Sequence, residues 1–362
     1  PVRVKKQPKY NILRWAVSGR DDININAKCY QIYKFLKNRK NETQNWKKLC
    51  YFWSSDFRTH ITGDRWHRFS KELDKFIASL KLYDQLPKST QIKHQDTSIF
   101  RDKYFTFNGE RLNVTFDCSK GLSIASYLDK NISKLPLFGK IAHGEINKIT
   151  HSADFFSGHL VQEIPGLHKR TDLIKVEPEI RKSVNETQLS YFWEDDLWNL
   201  QKAWIVRDSN GELELQQSIT FKKAATIGSL RLGTLTFLDG VTKVGNKISS
   251  NIGGGLETFN IISDTNHGSP LSLLISANQG LPITEGNLYY HGDDFSLLMQ
   301  VDTELSPAIA ICSFENIDGR NFHRIMFSLS EHDDTSRNSK KKIKFKMTIR
   351  ENEQYQTKMK ND

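Results

Sequence analysis

Apolar positions in the first ninety residues recur every three or four places. Cys29, Ile32, Tyr33, Phe35 and Leu36 form one such stripe, and Trp66, Phe69, Leu73, Phe76, Ile77 and Leu80 form a longer one. That is the period of helices with one buried face. Asp64 stands where an N-cap would open the second helix, and Pro87 in YDQLPKST forbids its continuation. From about residue 98 the period falls to two. KYFTFNG, LNVTFDC, LSYFWE, KAWIVRD, LELQQSITF, TLTFLDG, LLISANQ, FSLLMQVD, AIAICSF, RIMFSLS and IKFKMTI follow one another, separated by NGE, SNGE, HGS, EGN and HGDD. Short alternating runs between turn signals predict an antiparallel sandwich. Residues 120–134, KGLSIASYLDKNIS, keep helical spacing and predict one helical interruption.

The predicted fold is therefore mixed α and β, mainly β: an N-terminal helical segment followed by a large antiparallel β-sandwich domain. The expected division is a helical region at 1–95, the sandwich at 96–355 and a polar tail at 356–362. No repeat of 20 to 50 residues is visible, which disfavours a solenoid or propeller.

Composition refines this picture. With 37% hydrophobic and 11% aromatic residues the 362-residue chain suits folded domains. No run of 18 apolar residues occurs, and the charged start PVRVKKQPKYNILRW lacks the apolar middle of a signal peptide. No membrane partner is expected, and the chain reads as cytoplasmic. Pro1 fits either a removed initiator methionine or a piece of a longer chain. Cys29, Cys50, Cys118 and Cys312 lack CxxC spacing and read as buried free thiols. The N-x-S/T sites at Asn41, Asn113, Asn131 and Asn185 are what chance supplies in an Asn-rich chain.

The net charge of +10 raises nucleic acid as a partner. Its densest contributor, KKKIKFKMTIR at 340–350, alternates Ile343, Phe345, Met347 and Ile349 with Lys342, Lys344, Lys346 and Thr348. One apolar face and one lysine face describe a strand, and the expectation is a lysine-protected edge strand with no nucleic-acid groove.

Sugars present C–H faces that stack on rings and hydroxyls that need donors and acceptors, so clustered Trp, Asp, Arg, His and Asn suit them. RWAVSGRDDININAKCY offers Trp15, Arg20, Asp21, Asp22 and Asn26, and CYFWSSDFRTHITGDRW offers Trp53, Asp56, Arg58, His60 and Trp66. The plainer alternative is that the aspartates favour a helix start and Asp56 pairs with Arg58. His151, Asp154, His159 and His168 match no zinc spacing, so no metal and no other cofactor is expected. NIGGGLETFNI at 251–261 is a glycine turn entering a strand and not a phosphate loop, and WEDDLW at 193–198 reads as an exposed turn. There is no G-x-S-x-G elbow and no convincing Cys–His pair.

RWAVSGRDDININAKCYQIY, LCYFWSSDFRTHITGDRW, HSADFFSGHLVQEIPGLHKRTDL and HGSPLSLLISANQGLPITEGNLYY together resemble the C-terminal half of glycoside hydrolase family 57-like proteins. That resemblance implies a helical region and β-rich domain that cover an α-glucan-type polysaccharide held by an incomplete barrel. The barrel, from the same or another chain, would carry the glutamate nucleophile and aspartate acid/base of a retaining hydrolase or transglycosidase. It implies that Trp15, Arg20, Asp21, Asp22, Trp53, Asp56, Arg58 and His60 form a substrate-binding wall. Neither catalytic carboxylate can be located here, so the chain alone is expected to be catalytically poor. The alternative is a free-standing carbohydrate-binding or structural β-sandwich.

Overall fold

The computed structural model describes residues 22–37, 39, 42–54, 63–80, 96–141, 156–164, 169–222, 225–243, 245–251, 255–260, 280–317, 319–338 and 342–352. It is mainly β, with antiparallel strands throughout, as the alternation predicts. Three helices come first: α1 (Asp22–Lys37), α2 (Thr43–Phe52) and α3 (Gly63–Ser79). Their apolar stripes meet in one small core of Ile25, Cys29, Ile32, Leu36, Leu49, Phe52, Phe69, Leu73, Phe76 and Ile77. Asp64 lies in the first turn of α3. The YDQLPKST stop lies outside the described residues.

Two sheets then stack face to face. The first runs β1 (Asp96–Ile99), β8 (Glu179–Lys182), β9 (Thr187–Glu194), β10 (Trp198–Arg207), β11 (Glu212–Phe221), β20 (Lys342–Glu351), β17 (Ser296–Val301), β16 (Asn287–His291), β13 (Lys247–Asn251) and β14 (Leu256–Asn260). The second runs β15 (Gly280–Pro282), β18 (Ile309–Ile317), β19 (Arg320–Asn338), β12 (Ala225–Phe237), β5 (Phe138–Gly139), β4 (Ser123–Asp129), β3 (Leu112–Asp117) and β2 (Tyr104–Asn108), with β6 (Val161–Glu163) and β7 (Arg170–Thr171) added beside β12. Alternate residues of both inner faces fill the space between them. Trp198, Leu200, Trp204, Leu213 and Leu215 from the first meet Leu230, Leu232, Leu235, Ile325 and Phe327 from the second. Phe237 stacks on Tyr290 at 4.0 Å between ring centroids, and Phe116 leans on Trp204 at 5.8 Å.

Two expectations about individual elements are overturned. Residues 120–134 hold a strand, β4, preceded by a short turn of 3-10 helix at Cys118–Lys120. The pairing of β4 with β3 slips between Thr115 and Phe116, so Phe116 faces Ile124 while Thr115 faces Ser126. The extra residue, Ala125, lets both Ile124 and Tyr127 reach the core. An odd spacing made by a bulge thus imitates a helical one. The second is β20, which is not an edge strand: it lies between β11 and β17.

All four cysteines are free thiols, but Cys50 is exposed, against the expectation of burial. Burial pushes the thiols of Cys118 and Cys312 up, to about 11 and about 12. No helix among the described residues is long and apolar enough to cross a membrane.

Candidate functional site

The face of the first sheet turned away from the core carries a groove of about 1430 Å³ across β9, β10, β11 and β20, flanked by residues 174–177 and 302–305. Register builds its floor. On these strands Leu189, Leu200, Leu215 and Phe345 point inward, so their neighbours along each strand point outward. Phe192 pairs with Gln201, Gln201 with Ser218, and Ser218 with Lys344. One line across four strands therefore runs from an exposed ring through a carboxamide and a hydroxyl to an ammonium. Its length is three inter-strand spacings, about 14 Å. The next line is Ser190, Ala203, Gln216 and Lys346, and the one after it Gln188, Ile205, Glu214 and Thr348. Ala203 and Ile205 lie in the middle of the floor, both largely buried by their neighbours.

Glu214 anchors the polar end. Its side chain is 4% exposed. Gln216 donates to one carboxylate oxygen, while Arg207 at 3.1 Å and Lys346 at 3.4 Å approach the other. Burial alone would raise this carboxyl, but the Gln216 hydrogen bond and the Lys346 and Arg207 charges outweigh it and hold it below the usual carboxylate range. Arg207 also pairs with Glu212 and, at 3.1 Å, with Glu186. Burial would lower the guanidinium, and the hydrogen bond from Arg207 to Glu214 together with the nearby carboxylate charges keeps it above its ordinary value. The result is a fixed array of paired charges. A carboxylate tied to three donors is a poor proton donor, and no histidine stands among the described lining residues.

Under the sheet, Lys202 and Asp172 form a fully buried pair at 2.7 Å. The ammonium also donates to the Gly121 carbonyl at 2.7 Å, and Asp172 accepts from the Tyr191 hydroxyl at 3.2 Å and the Leu160 N–H at 2.9 Å. This network pins β10 and β9 to the segments leading out of β3 and β7, fixing the groove floor from behind. The helices sit at the groove's lip. Asp302 and Leu305 line it, and Glu304 between them accepts from Gln31 at 3.2 Å and Lys34 at 2.9 Å of α1.

Of the eight residues expected to form the substrate wall, Trp53 is the one whose side chain is described. Its indole N–H donates to Asn26 at 2.8 Å and its ring packs on the helical core. Asp22 opens α1. Trp15, Arg20, Asp21, Asp56, Arg58 and His60 lie outside the described residues, as do His151, Asp154 and His168. His159 is buried beside Phe156. Among the described residues no three His, Cys, Asp or Glu side chains gather as a metal would need. Asp195 and Asp196 form the predicted turn, where both pair with Arg170. β13 and β14 pair on either side of the GGG run at 253–255, of which residues 253 and 254 lie outside the described residues. The groove itself escaped notice because its polar residues looked like an ordinary wet face. Only the pairing of β11 with β20, over a hundred residues apart, aligns them.

No protein-family model matches this sequence, and no curated protein matches it significantly. Among solved structures, the chain is similar to a galactose mutarotase related enzyme from Lactobacillus acidophilus, at 10% identity and a TM-score of 0.43, over 69% of this chain and 97% of that one. A galactose mutarotase-like protein from Lactobacillus casei matches at 10% identity and 0.42, over 69% and 100%. The 4-alpha-glucanotransferase of Thermococcus litoralis matches at 10% and 0.36, over 91% of this chain and 50% of that one. These findings correct the expected resemblance to glycoside hydrolase family 57: no family model supports it, and mutarotase-like sandwiches, a different fold, match instead over nearly their whole length. At such low similarity none of them transfers an activity to this chain.

Proposed function

We propose that this chain binds a carbohydrate in the groove on the outer face of its first sheet, as a binding and scaffolding unit with no proton-transfer chemistry of its own in that groove. The observation that carries the reading is the line Phe192, Gln201 and Ser218. A ring to stack on, with an amide and a hydroxyl to pair with hydroxyls, is what a pyranose chain requires. The volume of about 1430 Å³ exceeds that of ordinary small-molecule pockets and has room for several sugar units. Glu214, the buried acid of the floor, supports binding over catalysis because it is held ionised by three donors. The helical segment, docked at the lip through Glu304, would form an adjacent wall.

The test is calorimetric titration of the intact chain with a panel of soluble oligo- and polysaccharides, beside the Phe192→Ala and Gln201→Ala variants. Each substitution should weaken binding about five- to twentyfold, from about 1 to 1.8 kcal/mol per lost stacking or hydrogen-bonding contact. Melting temperature should hold, since both side chains are exposed. Saturable binding that is indifferent to both substitutions would move the ligand out of this groove. No binding to any sugar would leave a structural sandwich.

A further inference from the structure

Lys342, Lys344 and Lys346 form one wall of the groove, at alternate positions about 6.8 Å apart along β20. Outward lysines on an edge strand are explained by protection against stray pairing. β20 lies inside the sheet, so that explanation is removed. The facing strand neutralises only Lys346, through Glu214: directly opposite Lys342 and Lys344 stand Thr220 and Ser218.

The acids of the groove are already engaged. Glu177 pairs with Arg101 at 3.7 Å, Glu179 with Arg181 at 2.8 Å, and Glu214 with Arg207 and Lys346. Asp302 spends one oxygen on the backbone N–H groups of Glu304 and Leu305. Lys342 and Lys344 are exposed and have no ion pair among the described residues. The groove therefore holds a surplus of positive charge along one wall, at the end of a line that starts with an aromatic ring.

Resting on the carbohydrate reading above, we propose that the groove selects an anionic polysaccharide, whose carboxylate or sulfate groups face Lys342 and Lys344 while a sugar face packs on Phe192. The arrangement distinguishes such a ligand from a single-stranded nucleic acid. Successive bases would need a row of rings along the groove, and the described lining offers Phe192 as its one exposed ring.

The experiment compares a neutral α-glucan with the same glucan carboxylated at its primary hydroxyls, titrated by calorimetry against the intact chain at low salt. The carboxylated form should bind three- to tenfold tighter, the sum expected for two exposed charge contacts. The preference should fade as salt shortens the screening length. Lys342→Gln with Lys344→Gln should abolish the preference and leave neutral-glucan affinity in place, and Phe192→Ala should weaken both ligands. Equal affinity for the two glucans would overturn the anionic inference while the carbohydrate reading stood. Failure of both to bind would remove the carbohydrate reading itself. Equal competition by single-stranded DNA would reduce the wall to general polyanion attraction and overturn selection.

Discussion

Replacing Lys202 by methionine is the sharpest probe of what holds the groove floor. Methionine keeps the apolar stem and removes the ammonium, so packing changes little and electrostatics change completely. Lys202 and Asp172 are both 0% exposed, so water screens neither. Without the lysine, Asp172 retains the Leu160 N–H and the Tyr191 hydroxyl as donors, and the Gly121 carbonyl loses its partner. Breaking a buried pair from one side costs about 3–5 kcal/mol. With a urea slope of about 3 kcal/mol/M, the unfolding midpoint should fall by about 1–1.7 M. Pairing Lys202→Met with Asp172→Asn removes both charges and should recover most of the loss. Urea unfolding of the three proteins at pH 8 decides it. A single variant costing under about 1 kcal/mol at pH 8, or a double variant worse than the single, would show that the pair does not brace this sheet.

Three further outcomes are expected. Burial depresses His323 to about 3 from its ordinary 6.5, so the folded protein keeps it neutral while the unfolded chain protonates it. Its contribution is intact above pH 6.5 and is lost as pH falls toward 3, at up to about 1.4 kcal/mol per pH unit, and His323→Asn should flatten that part of a stability–pH curve. Gly121→Ala should destabilise by well over 1 kcal/mol in thermal unfolding, because its φ is +60° and a Cβ would lie 1.8 Å from the Asp172 carbonyl oxygen. Trp53→Phe should cost about 1–2 kcal/mol through the lost bond to Asn26 and leave sugar affinity unchanged; a binding loss without a stability loss would return Trp53 to the ligand.

What the sequence disclosed follows the range over which each determinant acts. Helix stripes such as Phe69, Leu73 and Phe76 and strand alternations such as Ile343, Phe345 and Met347 are local, and both were readable. β4 was misread because a bulge is set by the partner strand, not by the residues that carry it. The groove was hidden for a stronger reason. Phe192, Ser218 and Lys344 lie far apart in the chain, and nothing in their own neighbourhoods distinguishes them from solvated strand positions. The two tryptophan clusters drew attention because density of chemistry along the sequence is visible, while density across a sheet is not.

The placement of β20 joins these threads. A lysine every second residue has one meaning at the margin of a sheet and another in its middle, and the alternation is the same in both. Antiparallel pairing with β11 on one side and β17 on the other turns the lysine row from a guard into a wall. The same pairing sets Lys346 against Glu214, where it helps to keep the carboxylate ionised. Lys346 is thereby partly neutralised, and the surplus falls on Lys342 and Lys344, the pair nearest the line that begins at Phe192. Moving the charge should move the preference: a chain with Glu214→Gln would release Lys346, and its bias toward a carboxylated glucan should grow rather than shrink. A smaller bias in that variant, with Lys342 and Lys344 intact, would mean that the intact Glu214 cluster shapes the groove more than the free lysines charge it.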